Sequence, residues 1–174
     1  MYSLPVNRRI FLVGAMGSGK TTIGRIVAQA LDLEYLDNDY GLSKMVSKSV
    51  NELATLDVAT LHALEDRYLQ SLLSRPGCYI AGVAASAADN LELTALLQRE
   101  FTIYLHTSLE SQLKQSGRKG VGRQGLIVDR DAEIESRYSR RNPRYLEIAS
   151  LVVEASRDRK RDAQEILDSL AKSS

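Results

Sequence analysis

The sequence predicts an α/β fold in three layers, with helices packed on both faces of a five-stranded parallel sheet. Three observations carry that prediction. Short apolar runs alternate with longer segments of helical spacing, the pattern of strands and crossover helices in a parallel sheet. A glycine-rich segment, Gly14-Ala15-Met16-Gly17-Ser18-Gly19-Lys20-Thr21, joins the first apolar run to the first helical segment. The 174 residues are enough for one domain with a full core, and the whole chain, 1–174, reads as that domain.

Each element follows in order. Ile10-Phe11-Leu12-Val13 is the first strand. Ile23, Ile26, Val27, Ala30 and Leu31 recur at helical spacing, and Asp32 closes that helix. Glu34-Tyr35-Leu36 is a short second strand leading into Asp37-Asn38-Asp39. Residues 40–73 read as helical throughout, with Val58, Leu61, Leu64, Tyr68, Leu69 and Leu72 on one face of the last part. Arg75-Pro76-Gly77 is a turn before the third strand at 78–81. A helix over 91–97, a strand over 101–105 and a helix over 108–115 come next. Between 116 and 130 the pattern breaks, as Gly117, Gly120, Gly122 and Gly125 interleave with Arg118, Lys119 and Arg123. Helical spacing resumes near 132 and runs to about 141, where Pro143 predicts a break. Leu151-Val152-Val153 is the last strand and 163–170 the terminal helix.

Composition narrows the partners. Apolar residues make up 44% and charged residues 26%, as in ordinary globular domains. The 23 basic and 22 acidic residues leave a net charge of +1, which gives no argument for a nucleic-acid partner. No apolar run is long enough to span a membrane, and residues 1–9 lack the apolar stretch of a secretory signal. The expectation is a cytoplasmic monomer acting on a small molecule. The single cysteine, Cys78, is expected to be a buried strand-edge residue rather than a nucleophile.

The glycine-rich segment fits G-x-x-x-x-G-K-[ST] between a strand and a helix, a phosphate-binding loop. Its glycines let backbone N–H groups crowd around phosphate oxygens, and the following helix adds unpaired donors and a positive dipole end. In that motif Lys20 reaches the β- and γ-phosphates and the Thr21 hydroxyl ligates Mg²⁺, so the chain is predicted to bind a nucleoside triphosphate. Asp37 and Asp39 stand at the carboxyl end of the second strand, where such sheets bind ligands. One carboxylate can hold the metal through water and the other can orient or deprotonate an acceptor hydroxyl. The basic segment 116–130 has the composition of a lid that closes over a transferring phosphate. In Arg140-Arg141-Asn142-Pro143-Arg144-Tyr145, a guanidinium fork suits a carboxylate.

These pieces, in this order, resemble the shikimate kinase family from Ile10 to about Leu170. The likeness is strongest from Ile10 through the loop to Arg25, at the Asp37/Asp39 pair, and in Arg141-Asn142-Pro143-Arg144-Tyr145. The resemblance implies strand order 2-3-1-4-5, an acceptor-binding helical region near 40–73, and a lid. It also implies ATP, Mg²⁺ and transfer of the γ-phosphate to a sugar-like hydroxyl. Carried across, Gly17, Ser18, Gly19, Lys20, Thr21 and Thr22 hold the ATP phosphates, with Thr21 on the metal and Asp37 in its outer sphere. Asp39 holds the acceptor hydroxyls and takes the proton, Arg141 grips the acceptor's carboxylate, and Arg123 is the lid arginine. Lys114 and Arg157 fall near two arginines that the family places against adenine.

Two departures strike the acceptor side. Where the family carries Phe-Arg followed by a Glu, this chain has Leu61-His62 and Glu65. Histidine is mostly neutral at pH 7 and has no bidentate fork. Where the family has three consecutive glycines, this chain reads Gly82-Val83-Ala84. A positive φ there would strain Val83 or Ala84, and their Cβ atoms are expected to narrow the acceptor pocket. The resemblance implies a kinase of shikimate or a similar hydroxylated acid. Beside it stand a kinase with a different acceptor and a catalytically inactive nucleotide-binding relative.

Overall fold

Alternation along the strands sorts the core into two halves. The computed structural model describes residues 8–116 and 130–172. In β1 (Arg9–Val13), Ile10 and Leu12 face one side while Phe11 and Val13 face the other, and all four are buried. A strand buried on both faces belongs in the middle of a covered parallel sheet. It is flanked by β3 (Tyr79–Gly82) and β4 (Phe101–His106), with β2 (Glu34–Leu36) and β5 (Leu151–Glu154) at the edges. The order is β2-β3-β1-β4-β5 and every pairing is parallel, as the resemblance implied.

The helices α1 (Lys20–Ala30) and α8 (Arg159–Lys172) cover one face, packing Ile23, Val27, Ile166 and Leu167 onto Ile10, Leu12, Ile80 and Ile103. The other face takes Leu61, Tyr68, Leu93, Tyr145 and Ile148 against Phe11, Val13, Tyr79 and Tyr104. Those residues come from α4 (Val58–Ser74), α5 (Leu91–Leu97) and α7 (Arg130–Ile148). Among the described residues, no helix is long and apolar enough to cross a membrane.

Three expectations about elements are corrected. The 40–73 segment is not one helix but α2 (Asn38–Val46), α3 (Val50–Ala54) and α4. Ser47 turns left-handed at φ 55°, and Ser49 and Glu52 close a capping box that starts α3. Asp57 then caps α4 by accepting from Thr60 N at 2.9 Å. The helix over 130–148 does not break at Pro143, which lies inside it. A missing N–H and a ring clash cost about 3 kcal/mol, and tertiary contacts on both sides hold the helix through it. Tyr104 Oη donates to Asn142 Oδ1 at 2.8 Å, Arg144 Nη1 to Ala88 O at 2.7 Å, and Tyr145 Oη to Ala85 O at 2.8 Å. The third strand begins at Tyr79, so Cys78 is exposed on the Gly77 turn rather than buried. The remaining helix is α6 (Leu109–Ser116).

Candidate active site

The phosphate loop runs from the end of β1 to Lys20, the first residue of α1, at the carboxyl edge of the sheet. Two of its glycines are required by geometry. Gly19 caps α1 with φ 101°, and a Cβ there would lie 2.7 Å from Arg159 Cζ. Gly14 has φ 148°, and a Cβ there would lie 2.6 Å from the Leu105 carbonyl oxygen. Among the described residues no side chain caps the first turn of α1, so its N–H groups stay available to an anion. Ser18 is buried and its Oγ has no partner among the described residues. Lys20 Nζ folds back to donate to Gly14 O at 2.8 Å and Ala15 O at 2.9 Å.

Asp37 ties the loop to the second strand. Its Oδ2 accepts from Thr21 Oγ1 at 2.8 Å, while its Oδ1 caps α2 by accepting from Asp39 N at 3.1 Å and Tyr40 N at 3.2 Å. Thr21 and Asp37, the two residues expected at a metal, are thus adjacent. An all-oxygen pair of this kind suits a hard cation such as Mg²⁺. Asp39 is exposed in the first turn of α2, its Oδ1 accepting from Asn38 Nδ2 at 3.2 Å. The Lys20 ammonium is pushed down to about 8, first by burial and further by the Arg141 charge, while Asp39 and Asp37 oppose the shift. The Lys20 ammonium thus lies within electrostatic reach of the two aspartates after β2 and of Arg141 on α7.

The residues expected on the acceptor side come from α4, the connection after β3, and α7. Val83 is buried in the core among Phe11, Val13 and Tyr79, so its side chain does not narrow the pocket. Neither it nor Ala84 is strained: among described non-glycine residues only Asp32 and Ser47 have positive φ, and Ala84 sits at φ −59°. The strain expectation is overturned for both residues and the narrowing expectation for Val83, while Ala84 stays partly exposed after the end of β3. His62 lines an open cavity of about 490 Å³ together with Asp66, Ser86, Asp89, Asn90 and Glu92. Arg141 is 13% exposed and donates from Nε and Nη2 to Asp89 Oδ2 at 3.0 and 2.6 Å.

A family model described as shikimate kinase matches residues 16–171. The chain belongs to the shikimate kinase family. A shikimate kinase of Halorhodospira halophila is 34% identical over 167 residues, 93% of each chain. One of Vibrio vulnificus is 33% identical over 148 residues, 84% of this chain and 86% of the relative. The solved shikimate kinase of Acinetobacter baumannii in complex with shikimate superposes with a TM-score of 0.79 at 28% identity, covering 99% of this chain and 96% of that one. Members of the family are phosphotransferases that act on a hydroxyl group, and this chain is one of them.

Beside the shikimate kinase pattern, one contact on the nucleotide side was missed in the sequence. Arg159, at the start of α8, donates from Nη2 to Gly17 O at 2.9 Å and from Nη1 to Ser18 O at 2.9 Å. Its Nη1 also donates to Ser156 O at 2.7 Å, and the buried Asp162 lies 3.7 Å away. The signal was present: Arg159 and Arg161 sit in the first turn of a helix, where the dipole disfavours cations and a specific partner is needed. Arg157, the residue expected against adenine, is exposed two positions earlier in the connection from β5. Lys114 is on α6, paired with Glu110 one turn before it. Arg123, with the rest of the expected lid between 117 and 129, lies outside the described residues.

Arg159 thus holds two carbonyls of the phosphate loop from α8. Arg159→Ala is expected to raise the KM for ATP by roughly 10- to 100-fold, the loss of charged hydrogen bonds of about 1.5–3 kcal/mol. ATP saturation curves check it, and Arg159→Lys should recover part of the loss.

Proposed function

We propose that this chain transfers the γ-phosphate of ATP to a hydroxyl of shikimate or a closely similar hydroxylated carboxylic acid. The observation that carries the reading is that the Lys20 ammonium, at the end of the phosphate loop, lies within electrostatic reach of Asp37, Asp39 and Arg141. A site that only bound nucleotide would need neither Asp39 nor Arg141. In this reading Gly17 to Thr22 cradle the ATP phosphates, and the unpartnered, buried Ser18 Oγ and the open N–H groups of α1 fit that role. Thr21 and Asp37 would hold Mg²⁺, which when bound neutralises phosphate charge.

The chemistry left to the side chains is positioning and charge stabilisation. Asp39 accepts a hydrogen bond from the acceptor hydroxyl and takes its proton as the oxygen bonds to the γ-phosphorus. The bond from that phosphorus to the bridging oxygen breaks, and ADP leaves with the electron pair. Lys20, released from Gly14 O and Ala15 O, offsets the charge that shifts onto the bridging oxygen. Arg141 turns the acceptor by its carboxylate. The chain is taken as one domain, with α2, α3 and the start of α4 as the acceptor-binding region. A coupled ADP-release assay with shikimate tests the reading. Turnover well above the ATP background is the expected result, and none at millimolar shikimate overturns it.

A second reading keeps the transfer and changes the acceptor, favoured by His62 in the cavity where the family carries Arg. The two separate on one variant. His62→Arg is expected to lower the KM for shikimate by roughly tenfold or more, as one charge-assisted contact of about 1.5–3 kcal/mol is restored. An unchanged KM in saturation kinetics would favour the different acceptor.

A further inference from the structure

The 3₁₀ turn Ala85–Asp89 is pinned from two helices. From α7, Tyr145 Oη donates to Ala85 O and Arg144 Nη1 to Ala88 O, at 2.8 and 2.7 Å. Toward α4, Ser86 Oγ donates to Glu65 Oε2 at 2.6 Å, and Asn90 Nδ2 to Asp66 Oδ2 at 2.8 Å. The Asp89 carboxylate is therefore presented at a fixed place. Both Nε and Nη2 of Arg141 donate to its Oδ2, and Arg140 Nε donates to its Oδ1 at 2.8 Å.

The Nε–Nη2 edge is one a guanidinium offers to a carboxylate in bidentate recognition. Here a carboxylate of the protein already holds it. Burial pushes the Asp89 carboxyl upward, but the hydrogen bonds from Arg141 and Arg140 outweigh it and hold it at about 2, so it stays ionised. The cavity that Asp89 lines also takes Asp66, Glu92 and His62, the last where the resemblance implies an arginine. An incoming carboxylate thus meets an arginine whose charge is already answered.

We propose that Asp89 determines acceptor specificity by competing with the acceptor's carboxylate for Arg141, which lowers the preference for carboxylate-bearing over neutral acceptors. The inference rests on the proposed function, in which Arg141 meets that carboxylate. It is tested by calorimetry on the full chain, with a non-hydrolysable ATP analogue present, using shikimate and its methyl ester. In Asp89→Asn, shikimate is expected to bind about tenfold tighter while the ester changes by less than about twofold. A residue that only held α7 in place would instead weaken both ligands together. Asp89→Ser removes the carboxylate by a different side chain and should give the same shift in preference, which covers a folding defect in either variant. An unchanged acid-to-ester preference, or loss of shikimate binding in both variants, overturns the proposal. Failure of the proposed function looks different: shikimate binds with the shifted preference and no ADP is released.

Discussion

Lys20→Met is expected to lower kcat by roughly 10²–10³-fold or more and, in the nucleotide-free protein, to raise thermal stability. The first effect follows from what the ammonium does in the crevice. In the proposed reading it faces the transferring phosphate, and methionine keeps its length without its charge. The second follows from where the ammonium sits. Burial pushes it down to about 8, and the Arg141 charge adds to the shift against Asp39 and Asp37. An unfolded lysine keeps its proton to about 10.4. Between the folded and unfolded values the unfolded chain binds more protons, so stability rises with pH across that window. Below the folded value the charged, desolvated form is a standing cost, and the methionine variant does not bear it. A Tm gain of about 2–5 °C is expected at neutral pH, shrinking as pH rises through the window. Thermal melts at neutral and alkaline pH, alongside ADP release, check both halves. A variant that loses activity and stability together would mean that Lys20 is structural.

Much of this fold was legible because its determinants are local. Ile10 to Val13 alternate between two buried faces, and Gly14 and Gly19 after them are required by positive φ and by close contacts at their Cβ positions. The 40–73 segment misled because its apolar positions keep helical spacing across two breaks, although Ser49, Glu52 and Asp57 spelled out the caps. Pro143 misled in the other direction. A local rule predicted a break, and the bonds of Asn142, Arg144 and Tyr145 to distant residues overrode it. Val83 shows a third kind of limit. Whether its side chain meets the pocket or the core depends on the strand's register, which a glycine-run comparison does not supply.

The parts of the site that escaped the sequence are long-range pairings. Arg159 reaches Gly17 across 142 positions, and Arg141 meets Asp89 across 52. Neither pair follows from periodicity or motif. The donor half of the site, a contiguous loop, could be read residue by residue. The residues expected to take the acceptor lie on α2, α4, the turn after β3 and α7, so their charge balance appears only once those elements are packed.

Asp39→Asn is the variant expected to separate the two carboxylates after β2. Asp37 is fully engaged, with one oxygen on Thr21 Oγ1 and the other capping α2. The Asp39 carboxylate accepts one hydrogen bond, at 3.2 Å from its neighbour Asn38, and stands exposed. Asp37 is held by three hydrogen bonds to the cap and to Thr21, so the proposed function gives the proton to Asp39. Its amide variant keeps the size and the hydrogen-bonding reach but cannot accept that proton as a base. The expected result is a fall in kcat of roughly 10²–10⁴-fold, the range for general-base contributions, with affinity for a magnesium–ATP analogue unchanged within about twofold. Asp37→Asn should give the opposite split. Asparagine caps a helix nearly as well as aspartate, so folding survives while magnesium-dependent nucleotide affinity drops. Calorimetry with the analogue and ADP release with shikimate measure the two variants side by side. If Asp39→Asn kept more than about a tenth of kcat, the proton would have to leave by water, and the role of Asp39 would shrink to holding the acceptor in place.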